Sequence, residues 1–157
     1  MIGAYGALAF LYMRSKRHAR WPVEALRLIV QPPIDLQQLR IFNQDGIPRA
    51  ACSWAHLSPE AEALLVGGEI LKPAQWRSGD SMWLMEVIAP YEQGSGGRVL
   101  RAFMRDLPKK IQRFRYLRVE NNNRAVKIVE FNRRESGGWH APVIAKTLKE
   151  LGSGRRH

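Results

Sequence analysis

One acid interrupts the run Met82-Trp83-Leu84-Met85-Glu86-Val87-Ile88-Ala89, whose apolar residues on both faces fit a central strand better than an edge strand. On a regular strand Glu86 shares a face with Leu84 and Ile88, and an unpaired carboxylate buried there costs several kcal/mol. It must find a donor or take up a proton. An arginine in the core would serve, and so would a histidine, because a carboxylate fixes an imidazole tautomer and stabilises its charged form. Gln93-Gly94-Ser95-Gly96-Gly97 comes next. Glycines let backbone N–H groups approach an anion, and a helix N-terminus adds partial positive charge, so Gly94, Gly96 and Gly97 are candidate phosphate ligands. An ordinary turn explains them equally well. The lysine-serine ending of a nucleotide P-loop and the dinucleotide spacing are both missing, so neither ATP nor NAD is expected. Cys52 and His56 lie four apart with no second close pair, and no metal is expected. Ser15 and Ser53 lack the glycine elbow of a hydrolase nucleophile.

The elements that must carry these groups follow from periodicity and punctuation. Ala4 to about Lys16 suits a helix, and Pro22 suits the first turn of a second helix with Val23, Leu26 and Val30 inward, which Pro32-Pro33 should stop. Two strands, Gln37 to Phe42 and Pro48 to Trp54, are joined through Asp45-Gly46. Ser58-Pro59-Glu60 opens a short helix through Leu65. After the Glu86 strand and the glycine segment, Val99, Leu100, Phe103, Met104 and Leu107 form one helical stripe with Arg98, Arg101 and Arg105 off it. A last hairpin pairs Phe114 to Val119 with Ala125 to Phe131 around Asn121-Asn122-Asn123, and a short helix is expected near Val143 to Leu151. This order predicts an α+β domain with helices on the faces of a sheet.

The chain has 157 residues, of which 45% are hydrophobic, enough for one domain with a core. Its single cysteine forms no internal disulfide, and a reducing cytoplasm is the expected home. Met1 to Met13 is apolar but too short to span a bilayer, and Arg14, Lys16 and Arg17 follow it instead of preceding it, so a buried or dimer-facing helix is expected in place of an anchor. Of the net charge of +11, an excess of nine lies between Arg98 and Arg134, with twelve basic residues against Asp106, Glu120 and Glu130. A basic face of this kind steers a polyanion or an acidic protein. With Phe114 and Tyr116 interleaved among arginines, a nucleic-acid-binding module is a rival reading.

At Ser15-Lys16-Arg17-His18-Ala19-Arg20-Trp21-Pro22-Val23 the chain resembles the RTX toxin-activating lysine acyltransferases, whose motif runs serine, two residues, histidine, two residues, Trp-Pro-Val. Matches continue in order at Pro48, at Ala51-Cys52-Ser53-Trp54-Ala55, at Leu57-Ser58, at Trp76 with Ser78-Gly79-Asp80, at Trp83 and at Ile88-Ala89-Pro90. Leu117-Arg118-Val119 and Lys127-Ile128-Val129-Glu130-Phe131 extend them to about residue 132. The resemblance implies a GNAT-like N-acyltransferase fold with a central, mostly antiparallel sheet, an acyltransferase domain over 1–134 and an extension over 135–157 with a basic tail. It implies a homodimer that moves a fatty acyl group from acyl-carrier protein to internal lysines of an RTX protoxin. The carrier's phosphopantetheine thioester would be the co-substrate, with no soluble cofactor, no specific nucleic acid and no membrane insertion. An inactive relative kept as a binding protein is the alternative within the family.

The family's catalytic histidine falls on His18, and its catalytic aspartate on Glu86, one methylene longer; Ala51 stands where tyrosine is common. By the resemblance, His18 acts as base on the lysine amine or carries the acyl group, Glu86 orients it, and Ser15 lends a hydroxyl. Trp21, Cys52 and Ser53 fall on the substrate side. The glycines Gly94, Gly96 and Gly97 would hold the phosphate, and Arg98, Arg101 and Arg118 would meet the acidic carrier.

Overall fold

Asp45 and Gly46 take left-handed backbone, φ 53° and 77°, which matches strand twist in a two-residue reversal. The turn folds β1 (Leu39–Gln44) onto β2 (Ile47–Leu57) in the computed structural model, which describes residues 2–120 and 125–153. Before the hairpin come α1 (Ile2–Arg14) and α2 (Val23–Asp35); after it come α3 (Pro59–Val66), a 3₁₀ turn (Pro73–Trp76), β3 (Ser81–Ile88), α4 (Ser95–Asp106), β4 (Arg113–Glu120), β5 (Ala125–Asn132), β6 (Val143–Ala145) and α5 (Leu148–Ser153). The six strands form one sheet in sequence order. Every neighbouring pair is antiparallel except β3 with β4. That parallel pair is joined only at Trp83–Arg115 and Leu84–Tyr116, so the sheet parts between the two strands beyond Leu84. The architecture is the α+β, GNAT-like fold expected.

Helices cover both faces. On one, α4 packs Val99, Phe103 and Leu107 against Cys52, Met82, Leu84 and Phe114, the stripe that the sequence marks out. On the other, Leu8, Leu11 and Tyr12 of α1 and Val30 and Ile34 of α2 pack on Ala51 and Ile88, while α3 adds Ala61 beside Trp76 and Trp83. Small residues on β2, Ala51 and Ser53 among them, let α1 approach closely. Ser58 caps α3 by accepting from the Ala61 N–H at 3.1 Å, with Pro59 opening the helix as the sequence suggests. Among the described residues no helix is long and apolar enough to cross a membrane.

Four local expectations give way to tertiary context. Pro32 and Pro33 do not stop α2: both are buried inside it and the helix runs on to Asp35, its missing N–H donors tolerated where the core encloses the rings. Val23 is not inward but 81% exposed, because Leu26 and Val30 set the buried stripe. Val143–Ala145 is not the start of a helix but an edge strand, since β5 offers it unpaired backbone at Ile128 to Glu130; helix begins only at Leu148. Ala145 and Leu151 join the main core. Finally, Ser95, Gly96 and Gly97 belong to the first turn of α4, leaving Gly94 as its N-cap with φ 80°. The asparagine turn at 121–123 lies outside the described residues.

Arg115 ties three elements together beneath the sheet. Its Nη1 donates to Glu62 of α3 at 2.5 Å and its Nε to Glu130 of β5 at 2.7 Å, while Ser81 and Trp83 also donate to Glu62. Burial works most strongly to raise the Glu130 carboxyl, but hydrogen bonds from Asn132 and Arg115 and the nearby guanidinium charges outweigh it and hold it below the usual range. A lowered folded value stabilises the fold above the unfolded glutamate value of about 4.3, and the contribution is lost as pH falls through the folded one. Arg115→Met takes the closest guanidinium from two buried carboxylates and is expected to cost about 3–5 kcal/mol. Urea unfolding at pH 7 and pH 4 checks this: the penalty should shrink at pH 4, and an equal penalty at both values would remove the ionic explanation.

Candidate active site

The chain leaves α1 at Arg14 and reaches α2 through a tight turn. Ser15 N–H donates to the Tyr12 carbonyl at 3.1 Å, His18 N–H to the Ser15 carbonyl at 3.1 Å, and Trp21 N–H to the His18 carbonyl at 2.9 Å. Pro22 then takes extended backbone and α2 begins. The three-residue step stacks Ser15 against His18, and Ser15 Oγ lies 2.7 Å from His18 Nδ1. The imidazole is only 3% exposed, held edge-on by Tyr12 at 4.7 Å and by Trp21 at 4.8 Å.

Glu86 arrives from the middle of the sheet, by a route its sequence neighbours hide. Register slips between Ser53 and Trp54: Ser53 pairs with Glu86, but Trp54 pairs with Leu84. Met85 is the extra residue of a β-bulge, and the bulge reverses the alternation that follows. Leu84 therefore packs under α4, whereas Glu86 and Ile88 turn to the α1 and α2 face. The expectation that Glu86 shares its face with Leu84 is thus overturned; Ile88 remains its neighbour. Glu86 Oε2 lies 3.6 Å from His18 Nε2 and accepts a hydrogen bond from Arg17 Nη2 at 2.7 Å. Both partners that a buried carboxylate could have used, arginine and histidine, are present.

Arg17 Nε–H points at His18 Nε2 at 3.4 Å; in the tautomer that accepts it, Nε2 carries the lone pair and Nδ1–H donates to Ser15. Burial first, and the Glu86 charge second, push the Tyr12 phenol well above its ordinary range, so Tyr12 stays protonated. Sequence reasoning singled out neither Arg17 nor Tyr12. Their only signal was adjacency, Arg17 beside the histidine and Tyr12 one turn before the serine.

A groove of about 770 Å³ opens where β3 and β4 part. Arg17, Trp21 and Glu86 stand on its rim, Leu84, Leu100, Tyr116, Leu117 and Val126 line its walls, and Gly96 and Gly97 present the start of α4 to it. Trp21, Gly96 and Gly97 are thus gathered with Glu86, and Trp21 also packs on His18. Ser53 faces the same side as Glu86, its Oγ buried without a hydrogen-bond partner among the described residues. Cys52 is buried on the sheet, its thiol pushed up to about 11 chiefly by burial, and packs in the core under α4. Gly94 caps α4, and Arg98 and Arg101 face solvent on it, outside the groove lining; Arg98 pairs with Glu92 at 2.9 Å. Arg118 is exposed on β4, opposite Lys127.

Of the two rings that a nucleic-acid reading would use, Phe114 is fully buried against Phe103, Phe131 and Trp139, and Tyr116 is half-buried on the groove wall. Arg115 is committed to the buried ion network. Among the described residues no three histidine, cysteine or acidic side chains gather as metal ligands.

Residues 1–132 match the RTX toxin acyltransferase family. An RTX-I toxin-activating lysine-acyltransferase of Actinobacillus pleuropneumoniae is 34% identical over 128 residues, 81% of this chain and 72% of that protein. A protein-lysine myristoyltransferase of Kingella kingae is 35% identical over 127 residues, 80% of this chain and 74% of the relative. A protein-lysine palmitoyltransferase of Bordetella bronchiseptica is 30% identical over 152 residues, 90% of this chain and 81% of its own length.

Proposed function

Because this chain belongs to the RTX toxin acyltransferase family, we propose that it moves a fatty acyl group from acyl-carrier protein to the side-chain amine of internal lysines in an RTX protoxin. One observation carries the reading: a carboxylate at the edge of a mainly apolar groove lies 3.6 Å from a histidine that lines the adjoining depression, with Arg17 lining both. A fatty chain needs such a groove, and aminolysis of a thioester needs such a base.

The attacking lysine must be neutral at nitrogen. His18 Nε2 takes the proton as the amine bonds to the thioester carbon; Nδ1–H stays on Ser15, and the Glu86 charge stabilises the imidazolium. When the intermediate collapses, the C–S bond breaks and the same proton goes to the departing thiolate. The phosphate of the carrier's arm would lie against the first turn of α4, where Gly96 and Gly97 bring backbone to the groove without side chains. Arg98, Arg101 and Arg118 would meet the acidic carrier. The thioester comes with the carrier, so the reaction calls for no soluble cofactor, and its carrier donor puts it in the cytoplasm.

Co-expression with a candidate RTX protoxin, followed by mass spectrometry, tests the proposal. Lysines carrying a fatty acyl mass, absent when this chain is omitted, are the expected result. Carrier binding without any acylated lysine would identify an inactive relative and overturn the enzymatic reading.

A further inference from the structure

Arg17 is the residue that touches both catalytic partners. Its Nη2 donates to Glu86 at 2.7 Å, its Nε–H points at the His18 lone pair at 3.4 Å, and Nη1 has no hydrogen bond among the described residues. The side chain is 46% exposed. It also stands at a junction: Arg17 lines both the groove and a second depression of about 240 Å³ formed by Ser15, Lys16, His18 and the stretch from Val87 to Pro90. Glu86 borders the first and His18 the second. A thioester lying in the groove and an amine reaching His18 from the other side would meet at the guanidinium.

We propose that Arg17 is a further catalytic residue, the donor that stabilises the oxyanion of the tetrahedral intermediate; the inference rests on the acyl transfer assigned above. In the ligand-free state the guanidinium covers Nε2. An arriving amine takes its place on the lone pair, and Arg17, still tethered by Glu86, moves its free N–H groups to the carbonyl oxygen. As the N–C bond forms, the π electrons of the carbonyl pass to oxygen, and the amine proton passes to His18. The negative oxygen then sits within reach of a cation that is already paid for in geometry by its carboxylate partner. When the C–S bond breaks the carbonyl re-forms and the proton follows the sulfur. Glu86 has its shortest contact with Arg17 and a longer one with His18, so it acts on the reaction through the guanidinium as well as through its charge.

The test compares steady-state transfer from acyl-carrier protein to a protoxin lysine by wild type, Arg17→Met, Arg17→Lys, Glu86→Gln and the Arg17→Met/Glu86→Gln double variant. Arg17→Ala is assayed with and without millimolar ethylguanidine. Loss of one oxyanion donor lowers kcat by about 10²–10³, and that drop is expected for Arg17→Met with KM little changed. Arg17→Lys should recover part of the rate, ethylguanidine should restore Arg17→Ala, and the double variant should be no slower than the worse single one. Wild-type kcat in Arg17→Met, a loss confined to KM, or a double variant showing the full product of both losses would overturn the assignment. If wild type transfers while Arg17→Met matches it, only the role of Arg17 fails; if wild type transfers nothing, the functional reading fails with it.

Discussion

Acyl transfer by His18→Gln is expected to fall by about 10²–10⁴, the usual contribution of a positioned base. Glutamine is the informative replacement because the imidazole fills a slot between Tyr12 and Trp21 at 3% exposure, and alanine would leave a hole there as well as remove the base. The amide keeps a polar group near Ser15 but has no lone pair able to take a proton at neutral pH. His18→Ala should lose transfer to the same degree and some stability besides. Both are measured as transfer rate beside a thermal unfolding curve. Near-normal transfer by either variant would remove His18 from the mechanism, whereas loss of transfer together with loss of the folded state in both would say nothing special about its chemistry and would count against a site tolerant of the glutamine.

Glu86→Gln removes one negative charge with little change of shape and should slow transfer by about 10²-fold, the scale of a catalytic group displaced by 1 Å. Two contacts fail together: the carboxylate no longer stabilises a charged His18 from 3.6 Å, and it no longer holds the guanidinium at 2.7 Å. Glu86→Asp keeps the charge but draws it back by one methylene toward the strand. Arg17 is a long side chain that can follow the retracted carboxylate, so transfer between those of wild type and Glu86→Gln is expected. Rates at matched carrier and protoxin concentrations decide it. Equal rates for Gln and Glu would show that the charge at 86 does no catalytic work.

The pairing of Ser15 with His18 came from the resemblance; the residues alone suggested helix to about Lys16, whereas α1 ends at Arg14 and a tight turn follows. The Asp45-Gly46 reversal and the α4 stripe were legible because each depends on local backbone preference or a single period. The rival nucleic-acid reading needed Phe114 as an exposed ring, but the parting of polar and apolar faces along β4 sends Phe114 into the core and Arg115 to two buried acids. Val143 and Ile144 were read as helix because nothing in the chain announces that β5 has a free edge for them.

By itself the sequence determined the chemical inventory of this protein: one histidine in a serine-led turn, one acid in an otherwise apolar strand, and a stripe able to cover a sheet. Only the tertiary structure decided that the acid faces the histidine. Side chains on a strand alternate with a period of two, so one extra residue at Met85 moves Glu86 from the α4 side to the side where α1 ends. A bulge is stabilised by the pairing of two strands and the packing around them, and neither strand carries it alone.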